Sequence, residues 1–251
     1  MQNLKGIVRY DGTGFSGWQI QPNVRTVQGE IEQALSRIAS QPIRVQGAAR
    51  TDAGVHALGQ VFSCRWPHEP DCERLRRSVS KMLGPEIRVA SMQQAAPDFH
   101  ARFSAVSKRY AYTLSLCREP DPFSARYAWH IPWKIDVRRL ADLARRLVGT
   151  RDFAGFQCAG ASVETTLRTL HSVELFNGGV VDPCDARDLW RLEFCGDGFL
   201  YKMVRNITGV LIEIARGKLP EERLAERLDS PGPFHGHTAP AHGLTLIEVI
   251  Y

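Results

Sequence analysis

A single carboxylate, Asp52, lies among small residues in the segment AARTDAGVHALGQV, residues 48–61. Ala53 and Gly54 follow it, so a ligand can approach the backbone closely, and Gly54 permits turns that are closed to most side chains. Arg50 precedes it by two positions and is able to keep a carboxylate ionised or to contact phosphate. These conditions suit a nucleophile or an electrostatic stabiliser. The alternative is a turn-forming Asp with Arg50 as a surface ion-pair partner.

Other chemical templates are incomplete or missing. GTGFSG, residues 12–17, fits the G-x-G-x-x-G fingerprint and follows a predicted strand, so a nicotinamide-dependent enzyme is a rival hypothesis. That fingerprint needs a helix that opens within the glycines, whereas Pro22 delays any helix until about Thr26. The sequence contains no Walker loop, no H-E-x-x-H, no zinc-spaced cysteine cluster and no G-x-S-x-G elbow. We interpret HGH, residues 235–237, as a surface loop.

Composition limits the class of protein. The chain has 251 residues, of which 43% are hydrophobic, enough for one large domain or two small ones. The net charge of +5 permits a polyanionic partner, with a solvated basic surface as the alternative. Six cysteines without a C-x-x-C pair, no secretory leader and no apolar run of membrane-spanning length predict a cytoplasmic protein with reduced thiols and no membrane contact.

The hydrophobic periodicity indicates the elements that must position these residues. Helices are predicted over 26–40, 71–83, 136–148, 199–215 and 220–228, with Thr26 and Asp71 as N-caps. Strands are predicted over 3–10, 43–49, 58–64, 86–94, 106–116, 167–176, 188–195 and 244–251.

Each half of the chain therefore combines helices with several strands. The sequence predicts an α+β fold of two similar α/β units, with helices packed on a shared, mostly antiparallel sheet and an active-site cleft between the units. Residues 1–103 would carry the Asp52 loop, and residues 104–251 would form the second unit.

Several segments, in order along the chain, resemble motifs of the tRNA pseudouridine synthase A family. RTDAGVHALGQV (50–61) resembles its catalytic motif. Further similar segments are YDGTGFSGWQIQPNVRTVQGEIEQAL (10–35), FHARFSAVSKRYAYTL (99–114), PFSARYAWH (122–130), FLYKMVRNITGVL (199–211) and TAPAHGLTLIEVIY (238–251). Lys202 departs from the pattern, because His is common at that position in the family.

The resemblance implies an isomerase that converts uridine to pseudouridine at positions 38, 39 and 40 of the tRNA anticodon stem-loop, as a homodimer, without cofactor or metal. It makes Asp52 the essential carboxylate and Arg205 its ion-pair partner. It also implies that Tyr110 stacks on the target uracil and that Arg50 fills the gap left by the displaced base or contacts phosphate. Whether Asp52 attacks C6, attacks C1′ or acts as a base stays open.

Each of these residues also has an ordinary structural interpretation. Arg205 would extend its guanidinium from an apolar helix to water, and Tyr110 would be a half-buried strand aromatic. Arg74, Arg77 and Lys81 form one stripe of the helix at 71–83, suited either to phosphate contacts or to a solvated face. A catalytically silent RNA-binding module is therefore a third hypothesis, beside the isomerase and the nicotinamide enzyme.

Overall fold

The computed structural model describes residues 1–158, 160, 163–181, 188–229 and 234–251. Two units are distinguished by their internal packing. The first comprises Met1–Val106 together with Leu246–Tyr251, and the second comprises Ser107–Thr245. None of the helices within these described ranges is both long enough and apolar enough to cross a membrane.

The first unit packs two helices with an antiparallel sheet. Its elements are β1 (Gln2–Tyr10), α1 (Val27–Ala39), β2 (Val45–Gly47), β3 (His56–Trp66), α2 (Cys72–Met82), β4 (Ile87–Gln94) and the greater part of β10 (Leu244–Ile250). The strand order is β4-β1-β3-β10, and β2 pairs with β3. β1 runs antiparallel to both β3 and β4, so Leu4 faces Cys64 on one side and Gln94 on the other.

Side-chain caps begin both helices of the first unit. The hydroxyl of Thr26 accepts a hydrogen bond from the Gly29 amide at 3.3 Å, and the Asp71 carboxylate accepts one from the Arg74 amide at 2.9 Å. Helix α1 then buries Val27, Ile31 and Leu35 at helical spacing, and α2 buries Leu75 and Val79. The local sequence thus determines where these helices begin and which face packs against the sheet.

The described residues of the second unit form antiparallel strands and three α-helices. Its elements are β5 (Ser107–Ser115), β6 (Trp129–His130), α3 (Val137–Arg145), β7 (Gly149–Asp152), β8 (Leu167–Asn177), β9 (Leu189–Gly196), α4 (Met203–Ala215) and α5 (Glu222–Asp229). The order β5-β9-β8-β7 is antiparallel throughout, and β6 lies parallel to the end of β5. The prediction of an α+β fold with mostly antiparallel strands is confirmed.

The helix predicted from residue 199 begins four residues later. Lys202 adopts a left-handed backbone conformation, with φ of +60°, and the Met203 amide donates to the Leu200 carbonyl at 3.1 Å. The segment before Met203 is therefore a turn, although its apolar residues fit a helical pattern. Strands β6 and β7 are not predicted at all, because β6 has two residues and the exposed sequence of β7 shows no alternation.

Candidate active site

The Asp52 loop, residues 48–55, connects β2 to β3 in the first unit. The Ala48 amide donates to the Val61 carbonyl at 2.8 Å, so the loop leaves β2 still paired with β3. After Asp52 the chain turns sharply, with the Val55 amide donating to the Asp52 carbonyl at 3.1 Å. Gly54 has φ of +79°, a conformation that favours glycine. Asp52 itself is half-buried, at a turn whose backbone is hydrogen-bonded on both sides.

A fully buried glutamine holds the beginning of the loop. The Gln60 side chain donates from Nε2 to the Ala49 carbonyl at 2.7 Å and accepts from the Ala49 amide at 3.2 Å. It thereby gives Ala49 the two hydrogen bonds that a neighbouring strand would give. Since Gln60 is 0% exposed, water cannot readily replace it.

Thr51, the residue before Asp52, is fixed through its side chain and its backbone. Its hydroxyl lies 2.8 Å from the phenol oxygen of Tyr10, and its carbonyl accepts from the Trp18 amide at 3.0 Å. Burial raises the pKa of Tyr10, so its phenol remains a neutral hydrogen-bonding partner. These contacts come from β1 and from the segment that follows it.

The glycines of GTGFSG pack against this same loop. A Cβ added to Gly17, which has φ of +91°, would lie 2.7 Å from the Thr51 carbonyl oxygen. A Cβ on Gly12 would lie 2.0 Å from the Val55 carbonyl oxygen. The first α-helix begins only at Val27, so these glycines do not open an α-helix as the dinucleotide fingerprint requires. Their small size instead lets two backbone segments approach each other closely.

We expect Gln60→Leu to lower the free energy of unfolding by about 2–4 kcal/mol, because it removes both partners of the buried Ala49 backbone. Chemical denaturation measures this change. Gln46→Leu is the matched control, since Gln46 is exposed on β2 and its replacement should change the stability by less than about 0.5 kcal/mol. Equal stabilities of the two variants would contradict the role given to Gln60.

Arg50 lies in the same loop as Asp52 and is exposed. The first unit therefore contains both Asp52 and Arg50. They are the two neighbours of Thr51, which is held by Tyr10 and Trp18. The other two predicted site residues, Tyr110 and Arg205, belong to the second unit.

Tyr110 lies in β5 opposite Phe194 of β9. Its side chain is 7% exposed, and its ring meets the Phe199 ring edge to face, with centroids 5.0 Å apart and an interplanar angle of 77°. This contact fixes the plane of the tyrosine ring.

Arg205 lies in the first turn of α4 and is the one residue of that helix that is not buried. Its Nε donates to the Ala239 carbonyl at 2.8 Å, and the Ala239 amide donates back to the Arg205 carbonyl at 3.2 Å. The guanidinium plane is therefore oriented by a backbone group of the segment before β10. A side chain held in this way differs from one that only extends to water.

The phenol of Tyr112 lies beside this arrangement. It donates to the Pro240 carbonyl at 2.7 Å. Burial raises the pKa of Tyr112, while the nearby charge of Arg205 acts in the opposite direction. A neutral, hydrogen-bonded phenol thus supports the segment that holds Arg205.

Tyr10, Gln60 and Ala239 are among the residues with positional roles that sequence reasoning did not select. Gln60 offers one signal, a single amide within the apolar and small residues of the segment ALGQVFSC. Ala239 offers none, because its contribution comes from backbone atoms. Within the described ranges, no three His, Cys, Asp or Glu side chains lie together in a way that could hold a metal ion.

Comparisons with known proteins agree with these motifs over the whole chain. A family model for tRNA pseudouridine synthase matches residues 7–104 and 143–251. The tRNA pseudouridine synthase A of Streptococcus mutans serotype c (strain ATCC 700610 / UA159) is 41% identical over 253 residues, which cover 100% of this chain and 99% of that protein. The protein of the same name from Geobacter sulfurreducens (strain ATCC 51573 / DSM 12127 / PCA) is 36% identical over 250 residues, 99% of each chain.

Solved structures give a weaker similarity. A chain in the crystal structure of a Cbf5–Nop10–Gar1 complex is 12% identical and has a TM-score of 0.37, over 96% of this chain and 57% of that chain. The family match and the full-length relatives show that the chain belongs to the tRNA pseudouridine synthase family.

Proposed function

We propose that this chain isomerises uridine to pseudouridine at positions 38, 39 and 40 of the tRNA anticodon stem-loop, with Asp52 as the essential carboxylate. The observation that carries the proposal is the Asp52 loop, whose neighbouring residues are held by buried side chains within a chain that is 41% identical, over its full length, to a tRNA pseudouridine synthase A. The N1–C1′ bond breaks, the uracil turns, and C5 bonds to C1′. Atoms and electrons are conserved, so the reaction needs no oxidant or reductant.

Asp52 has to be ionised and close to the ribose or the uracil ring. Three routes are compatible with this requirement: attack on C6, attack on C1′, and removal of a proton from the sugar. A departing uracil leaves positive character at C1′, which an adjacent carboxylate opposes, as in glycoside cleavage. The small residues Ala53 and Gly54 favour close approach of a nucleotide to this turn.

The other site residues have separate proposed roles. Arg205, oriented by the Ala239 carbonyl, supplies the positive charge that keeps a catalytic carboxylate ionised. Tyr110 offers an aromatic ring for the target uracil, and its orientation by Phe199 supports this role. Arg50, exposed beside Asp52, occupies the space that the displaced base leaves or contacts phosphate.

The target nucleotide lies in a stacked stem and has to be turned out of it, at a cost of a few kcal/mol. Action at three adjacent positions implies recognition of RNA shape and backbone more than of bases. The exposed Arg74, Arg77 and Lys81 on α2 suit such phosphate contacts. We further propose that the protein acts in the cytoplasm as a homodimer. Light scattering of the purified chain measures its molar mass in solution and so tests the dimer.

Incubation with unmodified tRNA, followed by mapping of pseudouridine, tests the function. We expect product at positions 38–40 without added cofactor. Product elsewhere in the anticodon arm would support the isomerisation but contradict positions 38–40 as its target. The absence of any product would refute the isomerase and favour the silent RNA-binding module, while calorimetric binding of NAD would favour the nicotinamide enzyme.

We propose that the Tyr110 phenol also assists removal of the proton from C5, as the family resemblance implies. Tyr110→Phe should therefore lower kcat by about 10²-fold or more, with KM for tRNA unchanged because the ring remains. Steady-state kinetics with unmodified tRNA measures both constants. Tyr251→Phe is the control, because it removes a phenol that donates to the Ala101 carbonyl in the first unit. A rise in KM with unchanged kcat would restrict Tyr110 to binding.

A further inference from the structure

A cavity of about 330 Å³ lies in the second unit between α4, α5 and the segment 234–237. Gly209, Val210 and Phe234 supply an apolar part of its wall. Three cationic side chains, Lys218, Arg223 and Arg227, line the remainder together with His235 and His237. We propose that this cavity, called here the α4–α5 pocket, binds a phosphate group of the RNA backbone. The choice of RNA as the source rests on the proposed function.

The charge of the pocket favours an anion. Among the described residues that line it, the one carboxylate is Glu213, which is 9% exposed and pairs with Arg216 at 2.9 Å as well as with Lys218 at 2.9 Å. Arg216 does not line the pocket but adds a second positive charge beside Glu213. Arg223 pairs with Glu226 at 2.7 Å. The four cations Arg216, Lys218, Arg223 and Arg227 outnumber these two carboxylates, so positive charge remains available to an anion. A cation would meet a net positive wall, and an uncharged apolar ligand would leave these groups poorly solvated.

The cationic side chains enter the α4–α5 pocket from two elements of the unit. Arg223 and Arg227 are four residues apart on α5, so they lie on one face of the helix. Lys218 comes from the turn that follows α4. Arg227 donates from Nη2 to the His235 carbonyl at 2.7 Å, which ties α5 to the opposite wall. A phosphate has acceptor oxygens in several directions and suits donors that converge in this way.

The pocket shares a wall with the segment that orients Arg205. Gly209 follows Arg205 by one turn of α4 and lies on the same face. A Cβ on Gly209 would lie 1.9 Å from the His237 carbonyl oxygen, so helix and segment are in direct backbone contact there. Two residues later, Ala239 accepts from the Arg205 guanidinium. The wall of the pocket at Gly209 therefore lies about one helical turn from Arg205, a proposed catalytic residue.

The double variant Lys218→Gln/Arg223→Gln tests the proposal. Both side chains are largely exposed, 62% and 48%, so their replacement should not impair folding. Arg227 is kept because it holds the His235 carbonyl. The matched control is Lys134→Gln/Arg138→Gln, which removes the same charge from exposed positions of the same unit that do not line the pocket.

Two probes distinguish the sources of phosphate: inorganic pyrophosphate and unmodified tRNA, the latter titrated over a series of salt concentrations. Relative to the control, we expect the pocket variant to bind both probes about tenfold more weakly. The slope of log K against log salt for tRNA should fall in magnitude by about 1. The KM for tRNA should rise while kcat at saturation is unchanged.

Each outcome decides one point. Loss of pyrophosphate binding with the tRNA affinity and salt slope of the control would support a phosphate site and overturn the RNA backbone as its source. Control-like behaviour with both probes would overturn the proposal entirely. If the wild-type protein forms no pseudouridine, the proposed function fails, while the pyrophosphate measurement still decides whether the pocket binds phosphate.

Discussion

Asp52→Asn is expected to abolish pseudouridine formation and to leave tRNA binding within about twofold of wild type. Asparagine has nearly the same volume, but it carries no charge and is a poor nucleophile. Since all three routes open to Asp52 need an ionised carboxylate, the single-turnover rate should fall by about 10⁴-fold or more. Single-turnover assays with excess enzyme measure this rate, and fluorescence anisotropy with labelled tRNA measures binding.

The loop should survive this substitution. The contacts from Tyr10, Gln60 and Trp18 reach Ala49 and Thr51, not the side chain that is changed. Asp71→Asn is a suitable control, because it makes the same chemical change at the N-cap of α2, where Asn caps about as well as Asp. A catalytically competent Asp52→Asn protein would show that the reaction does not depend on this carboxylate.

Local sequence is enough to locate Asp52 and the helix caps. The small residues after Asp52 and the capping positions Thr26 and Asp71 each act on neighbours within a few residues, so a short window contains the cause and the effect. The supports of the Asp52 loop are different. Tyr10 and Thr51 are 41 residues apart, and only the pairing of β1 with β3 brings their hydroxyls together.

The surroundings of Arg205 show a second reason why sequence is insufficient. Its partner, the Ala239 carbonyl, lies 34 residues away. Because the carbonyl belongs to the backbone, the residue type at position 239 does not predict the contact. The late start of α4 could not be predicted either, because the apolar run from residue 199 favours a longer helix. Lys202 instead takes a left-handed conformation, and the helix begins after it. That turn leaves Arg205 in the first turn of α4, the position from which it reaches Ala239.

Arg205→Lys is expected to lower kcat by about 10²–10³-fold although the charge is kept. An arginine donates from Nε to Ala239 and presents its two Nη groups in the same fixed plane. A lysine has a single ammonium on a flexible chain, so it cannot both bond the carbonyl and offer a second, oriented group of donors. Arg205→Ala should cost at least as much, and the difference between the variants measures the value of the remaining charge.

A structural role for Arg205 predicts a different result. Thr238→Val is the discriminating control, because Thr238 donates from its hydroxyl to Asn206 at 2.7 Å and so ties the same segment to α4 through a different residue of the helix. Both Thr238→Val and Arg205→Lys should lower the free energy of unfolding by about 1 kcal/mol. If kcat falls equally in the two variants, loosening of the segment explains the loss. If it falls only in Arg205→Lys, the guanidinium itself serves the reaction.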